Sequence, residues 1–262
     1  GQADPSRAGF GYPRRVMKEE NVSIPTSDGA AEGILYHPDG EGPWPGVIHL
    51  TDIGGIRPAH EEMAKRLAGE GCVVLLPNIF YRSIMPPMFD FPMDFGDERT
   101  KKRFAEIAGP MTPEAMESDG ASYVDFLAAR PSVAPGPMGV VGYCISGAFA
   151  LRTAAVQPAK IAAAASFHGG GLWSDKPSSP HLILPRIKAR LYIGYAIEDH
   201  SMPPEAIEKF DAALAEWGGD YESEIYDGAH HGWTASDRAV YNPEQAKRAF
   251  EKLTELFAIA LV

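Results

Sequence analysis

The chain has 262 residues, 45% of them hydrophobic and 23% charged, which is enough for one large domain with a full core, and no apolar run reaches membrane-spanning length. A formal net charge of −11, with no basic stretch, argues against nucleic acid or an anionic membrane surface as partner and leaves a small molecule as the expected one. The two cysteines, Cys72 and Cys144, fall in different predicted elements, so they supply no disulfide framework and favour a reducing, cytoplasmic compartment.

Residues 1–21 read as an N-terminal extension. It opens Gly1-Gln-Ala-Asp-Pro5, without initiator Met or apolar leader core, as a processed or engineered end does, and a removed leader is compatible with it. Residues 22–262 are expected to form a single domain. Alternating runs at 22–24 and 31–36 flank Thr26-Ser-Asp-Gly29 and predict a hairpin. A strand at 45–50, a helix at 59–70 stopped by Gly71, and a buried strand at 72–76 follow. Then come helix 116–129, strand 138–141, helix 145–156, strands 161–167 and 190–195, helix 204–217, strand 221–226 and helix 243–258. Continuous apolar strands alternating with helices predict an α/β fold whose largely parallel sheet is covered on both faces. Sites on such sheets lie at the carboxyl ends of the strands. Residues 83–95, rich in Met, Phe and Pro, break this rhythm and read either as a loop folded onto the core or as a pocket wall or lid.

Cys144 carries the chemical signal. It sits in Gly142-Tyr-Cys-Ile-Ser-Gly147, between an apolar strand and an Ala-rich helix, where a nucleophile elbow presents its reactive residue. Such a turn strains its central residue and requires small neighbours, and it directs the sulfur to the positive end of the next helix, which favours the thiolate. Cys72, in an apolar strand, reads as a small core hydrophobe. Ser146 lacks a glycine two positions upstream and is a poor rival nucleophile. A thiolate needs a base, and the base needs an orienting acid. Both follow in chain order: Glu198 and Asp199 end one strand, and His230 and His231 end a later one. Asp199, shortly before Met-Pro203 and a helix, and His231, before Gly-Trp233, are the preferred members. His168-Gly-Gly-Gly171 follows the nucleophile, so it reads as a glycine-rich strand end near the pocket. No His/Cys/Asp cluster has zinc spacing, and neither metal nor cofactor is expected.

These segments resemble the dienelactone hydrolase family, the cysteine branch of the α/β-hydrolases, from about Val22 to Phe257. The resemblance implies an α/β-hydrolase fold with an N-terminal antiparallel hairpin, a Cys144, Asp199, His231 triad, and a monomer. It also implies that Asp52 lies beside the thiol as an activating acid, and that the backbone N–H groups of Ile53 and Ile145 form the oxyanion hole. Arg82, in Pro77-Asn-Ile-Phe-Tyr-Arg82, matches a residue that contacts a substrate carboxylate, and Tyr143, His168 and Trp233 complete the expected substrate-binding set. Three positions depart from the family pattern: Asp52 replaces the usual Glu, Ser146 replaces a Gly, and no second Arg follows His231, the nearest being Arg238. The expected activity is hydrolysis of a carboxylic ester or lactone, an activated enol ester above all, through an acyl-cysteine. The alternatives are a broad carboxylesterase or thioesterase, and a non-catalytic binding module of the same fold.

Overall fold

The computed structural model describes residues 17–262, so residues 1–16 of the expected extension lie outside the described residues. The first strands, β1 (Met17–Thr26) and β2 (Gly29–Pro38), form an antiparallel hairpin in which Ile24 pairs with Ala31, both fully buried. The hairpin thus takes in residues 17–21, which the sequence placed in the extension. Next come β3 (Gly46–His49), α1 (Pro58–Gly69) and β4 (Val73–Pro77) on the expected segments.

An unexpected helix, α2 (Glu98–Ala108), follows, capped by the Asp97 side chain, which accepts from the Arg99 N–H. Only Thr100 and Ile107 of this helix are buried and its first six residues are all polar, so too little apolar content marks it in the sequence. The remaining elements are α3 (Pro113–Ala128), β5 (Met138–Tyr143), α4 (Ser146–Val156), β6 (Ile161–Phe167), β7 (Arg190–Ile197), α5 (Pro204–Trp217), β8 (Tyr221–His230) and α6 (Pro243–Ala260). A 3-10 helix, Pro180–Arg186, was also not foreseen.

The sheet order is β1-β2-β4-β3-β5-β6-β7-β8, antiparallel up to the β2–β4 pair and parallel thereafter. Alternate residues feed two cores: Ile48 and Val140 pack with Tyr123, Phe149 and Phe210 from α3, α4 and α5, while Val47 and Val141 pack with Leu67 and Leu253 from α1 and α6. Because β3, β5, β6, β7 and β8 run the same way, the loops that follow them converge on one edge. No helix among the described residues is long and apolar enough to cross a membrane.

Candidate active site

The turn from β5 into α4 holds Cys144 at φ 60°, the left-handed region that an L residue occupies only when its surroundings compel it. The Cys144 N–H donates to the Phe167 carbonyl at 3.1 Å, and its carbonyl accepts from the Gly147 N–H at 3.1 Å. A Cβ on Gly142 would lie 1.8 Å from the Ser146 carbonyl oxygen, so only glycine fits there. Ser146 earns its place differently: its buried hydroxyl accepts from the Tyr143 N–H at 2.7 Å and faces the Leu50 and Tyr143 carbonyls at 3.2 and 2.9 Å. It therefore ties the elbow to the end of β3. Ser146→Ala strands a buried N–H and is expected to cost about 1–3 kcal/mol in urea unfolding.

The loops after β7 and β8 bring the other two predicted residues to the sulfur. His231 Nε2 lies 2.9 Å from Cys144 Sγ, and His231 Nδ1 lies 2.7 Å from Asp199 Oδ2. The second oxygen of Asp199 accepts from the Ser201 N–H at 2.9 Å and the Ser201 hydroxyl at 2.6 Å, which fixes the carboxylate. Burial opposes the charge of Asp199, yet His231 and Ser201 hold its carboxyl below the usual range. Burial likewise opposes charge on His231, but the Cys144 sulfur and Asp199 outweigh it and the imidazolium is pushed up to about 10. The competing pair, His230 and Glu198, meets at 3.1 Å on an exposed surface, away from the sulfur.

The loop after β3 carries Asp52 and Ile53. Among the described residues, neither the Ile53 N–H nor the Ile145 N–H finds a backbone or side-chain acceptor, as donors awaiting a substrate oxygen would be. Asp52 makes no hydrogen bond to the thiol. Its oxygens accept from Arg57 at 2.6 and 3.0 Å and from the Gly54 N–H at 2.9 Å, and His60 Nε2 stands 3.4 Å away. Burial opposes the charge of Asp52, but His60 and Arg57 hold its carboxyl well below the usual range. Arg57 also grips Asp237 at 2.5 and 3.1 Å, joining the Ile53 loop to the loop that follows His231. In this structure Asp52 belongs to a clamp between loops and makes no bond to the thiol as an activating acid would, because a buried carboxylate takes the nearest guanidinium.

Arg82 is likewise engaged in ion pairs. Its guanidinium makes bonds of 2.6 and 2.8 Å to the fully buried Asp119, and Nε binds Asp28 at 2.8 Å, linking the β1–β2 turn to α3. Arg82→Ala leaves Asp119 buried with Tyr81 as its remaining partner and is expected to cost about 3 kcal/mol in urea unfolding, while KM for an ester substrate stays unchanged.

Trp233 is fully buried, stacked on Tyr226 at 4.7 Å, so it packs the interior and offers no surface to a substrate. His168, also buried, bonds Thr234 Oγ1 at 2.9 Å and lies edge-on to the His231 ring at 5.2 Å. Burial, and then the charge on His231, hold its pKa well below the ordinary histidine value, so it backs the base as a neutral ring. Tyr143 packs in the α1–α6 core, 5.2 Å from the His49 ring, on the opposite side of the sheet from α3, α4 and α5.

The Met/Phe segment does pack over this edge. A Cβ on Gly55 would come within 2.8 Å of Met88 Cγ, and Arg238 stands 5.5 Å over the Phe95 ring. Among the described residues no group of three or more His, Cys, Asp or Glu side chains is arranged to hold a metal ion. Of the positions missed in the sequence, His60 and Thr234 act through contacts between separate segments, for which residue spacing gives no signal, whereas Arg57 and Ser201 act within five residues of Asp52 and Asp199 and lay within reach of a local reading.

Comparison with known proteins covers nearly the whole chain. The profile of the dienelactone hydrolase family matches residues 31–261. A protein of Synechocystis sp. named "Putative carboxymethylenebutenolidase" is 28% identical over 248 residues, covering 94% of this chain and 98% of the relative. The carboxymethylenebutenolidase of Rhodococcus opacus is 26% identical over 215 residues, or 80% of this chain and 79% of the relative. The crystal structure of a "Putative Dienelactone Hydrolase" from Klebsiella pneumoniae superposes with a TM-score of 0.82 at 23% identity, covering 93% of this chain and 99% of that one, a likeness of α/β-hydrolase fold.

Proposed function

The chain belongs to the dienelactone hydrolase family of hydrolases, and from that premise we propose that it cleaves a carboxylic ester or lactone with Cys144 as nucleophile. The observation that carries this reading is the 2.9 Å approach of His231 Nε2 to Cys144 Sγ, with Asp199 2.7 Å behind the same imidazole. The Cys144 thiolate, paired with the His231 imidazolium and lying at the N-terminus of α4, attacks the carbonyl carbon. The oxyanion that forms takes the Ile53 and Ile145 N–H groups, donors typically worth about 3 kcal/mol each. As the tetrahedral adduct collapses, the alcohol or enol oxygen leaves with the proton from Nε2 and a thioester remains. Neutral His231 then takes a proton from water, the hydroxide adds to the thioester, and the thiolate departs from the acid. A thiolate leaves more readily than an alkoxide, so the first step runs forward best when the departing oxygen is stabilised, as in an enol or aryl ester.

Arg82 favours a second reading of the substrate range, a broader carboxylesterase or thioesterase. With its guanidinium committed to Asp119 and Asp28, the carboxylate recognition expected of a strict lactonase is missing from that position. The two cysteines are free thiols, which supports a reducing, cytoplasmic setting.

One experiment tests the nucleophile directly. Rapid quenching during turnover of 4-nitrophenyl acetate should leave one acetyl group, located by peptide mass spectrometry on Cys144 and not on the buried Cys72. An acetyl group on any other residue, or none under burst conditions, overturns the acyl-cysteine route. Rates on an enol-lactone, a 4-nitrophenyl ester and a thioester then separate the two substrate ranges, equal rates supporting the broader one.

A further inference from the structure

A cavity of about 300 Å³ opens between α1 and α6, on the face of the sheet behind the elbow, and neither Cys144 nor His231 lines it. Its polar wall is built from His49, Tyr143 and Thr234, the first two nearly or fully buried and carried on the ends of β3 and β5. Its apolar wall comes from Met63 and Leu67 of α1 and Phe250 of α6. The volume is at the lower end for a small-molecule pocket, with the usual lining of apolar side chains and a few convergent polar groups.

Three features make this more than a packing gap. His49 Nε2 is 2.8 Å from His60 Nδ1, but His49 Nδ1 is buried without a partner, a deficit that a folded protein rarely leaves unfilled. Burial, and then His60, hold the His49 pKa well below the ordinary value, so this ring is neutral. The Tyr143 hydroxyl makes no hydrogen bond within the described residues, and burial pushes its pKa up, so it keeps its proton and remains a donor. At the rim, the Arg66 guanidinium lies 4.4 Å over the Phe250 ring; among the described residues no carboxylate forms an ion pair with it within 4 Å, although its charge reaches Glu70 and Glu62 also lines the cavity. The Arg66 charge nevertheless acts on the Tyr143 phenol across the cavity. With Lys247 beside Arg66 in the lining and Glu62 as its one carboxylate, the cavity carries a surplus of positive charge above a phenolic donor, a local anion preference in a chain of net charge −11.

We propose that this cavity is a second small-molecule site, separate from the catalytic one, that takes a small aryl or short-chain carboxylate. The carboxylate faces Arg66 and the Tyr143 hydroxyl, and the apolar body lies between α1 and α6 against Met63, Leu67 and Phe250. The site does not depend on the hydrolase reading, since binding requires no turnover.

Phenylacetate is the probe, titrated into the full chain by isothermal calorimetry. Saturable binding in the roughly millimolar range is expected for so small a ligand. Arg66→Gln should weaken it about tenfold, and Ala246→Phe, which fills the cavity from α6, should abolish it. Cys144→Ala should leave it unchanged. Arg66 is exposed on α1, so R66Q decides the matter even where the bulkier variant fails to fold, as circular dichroism would show. No saturable heat up to about 20 mM, or equal affinity in the unaltered chain and R66Q, overturns the proposal. Loss of binding in C144A alone would place the probe beside the sulfur and overturn it too.

Discussion

Cys144→Ala is expected to lower kcat for 4-nitrophenyl ester hydrolysis by about 10⁴–10⁶-fold, the upper end being the order seen when the nucleophile of a triad is removed. The fold should survive: the side chain is small, and the backbone bonds from Cys144 to Phe167 and Gly147 do not involve the sulfur. Binding contributions from the Ile53 and Ile145 amides remain, so a residual rate above water and a KM within a few-fold of the original are the accompanying results. Steady-state kinetics with a circular dichroism control reads both quantities. A variant retaining a tenth of the original kcat would remove the nucleophile from Cys144, and an unaltered chain inert on all ester classes would leave the non-catalytic binding module as the better account.

Asp199→Asn should reduce kcat by roughly 10³–10⁴-fold, because an amide at this position no longer holds the Nδ1–H tautomer or the imidazolium. The effect has a signature that a packing defect lacks. In the unaltered chain His231 is raised to about 10, held there against burial by Cys144 and Asp199. A folded pKa above the unfolded value of about 6.5 means that the imidazolium's contribution to stability is complete below pH 6.5 and is lost as pH rises towards 10. Asp199 works in the opposite sense: its lowered pKa contributes stability above the unfolded value of about 3.9, lost as pH falls through the folded one. NMR titration of the His231 ring should therefore give a midpoint near 10 in the unaltered chain and a lower one in D199N. It should also fall in C144A, where the partner charge on sulfur is gone. Midpoints that do not move in either variant would deny the coupling.

The elbow and the order of the triad residues were legible because each depends on local chemistry. Gly142 is demanded by a carbonyl only four residues on, and the short loops after β7 and β8 deliver Asp199 and His231 with little freedom. The choice between paired neighbours was also local, since at the β7 and β8 ends Glu198 and His230 turn outward and satisfy each other. Ser146 shows where such legibility ends. It looked like a crowded substitute for glycine, but its hydroxyl bonds across to Leu50, a partner distant in sequence. Helix α2 escaped notice because it is mostly polar and buries little, and β1 began early because pairing with β2 continues past the last alternating apolar residue.

By itself the sequence determined the α/β class and singled out Cys144, Asp199 and His231, which the fold brings within hydrogen-bond distance of one another, for these are set by hydrophobic period, by a turn with one sterically allowed pattern and by residue order. Only the tertiary structure decided the destinations of the ions. Asp52 and Arg82 carry the types expected at a thiol and at a substrate carboxylate, and both are taken by partners that folding brings nearer, Arg57 for one and Asp119 for the other. A buried charge is too costly to leave waiting for a ligand when an opposite charge stands within 3 Å, so the ion pairs that folding closes, one within a single loop and one between distant segments, override the pattern read from residue types.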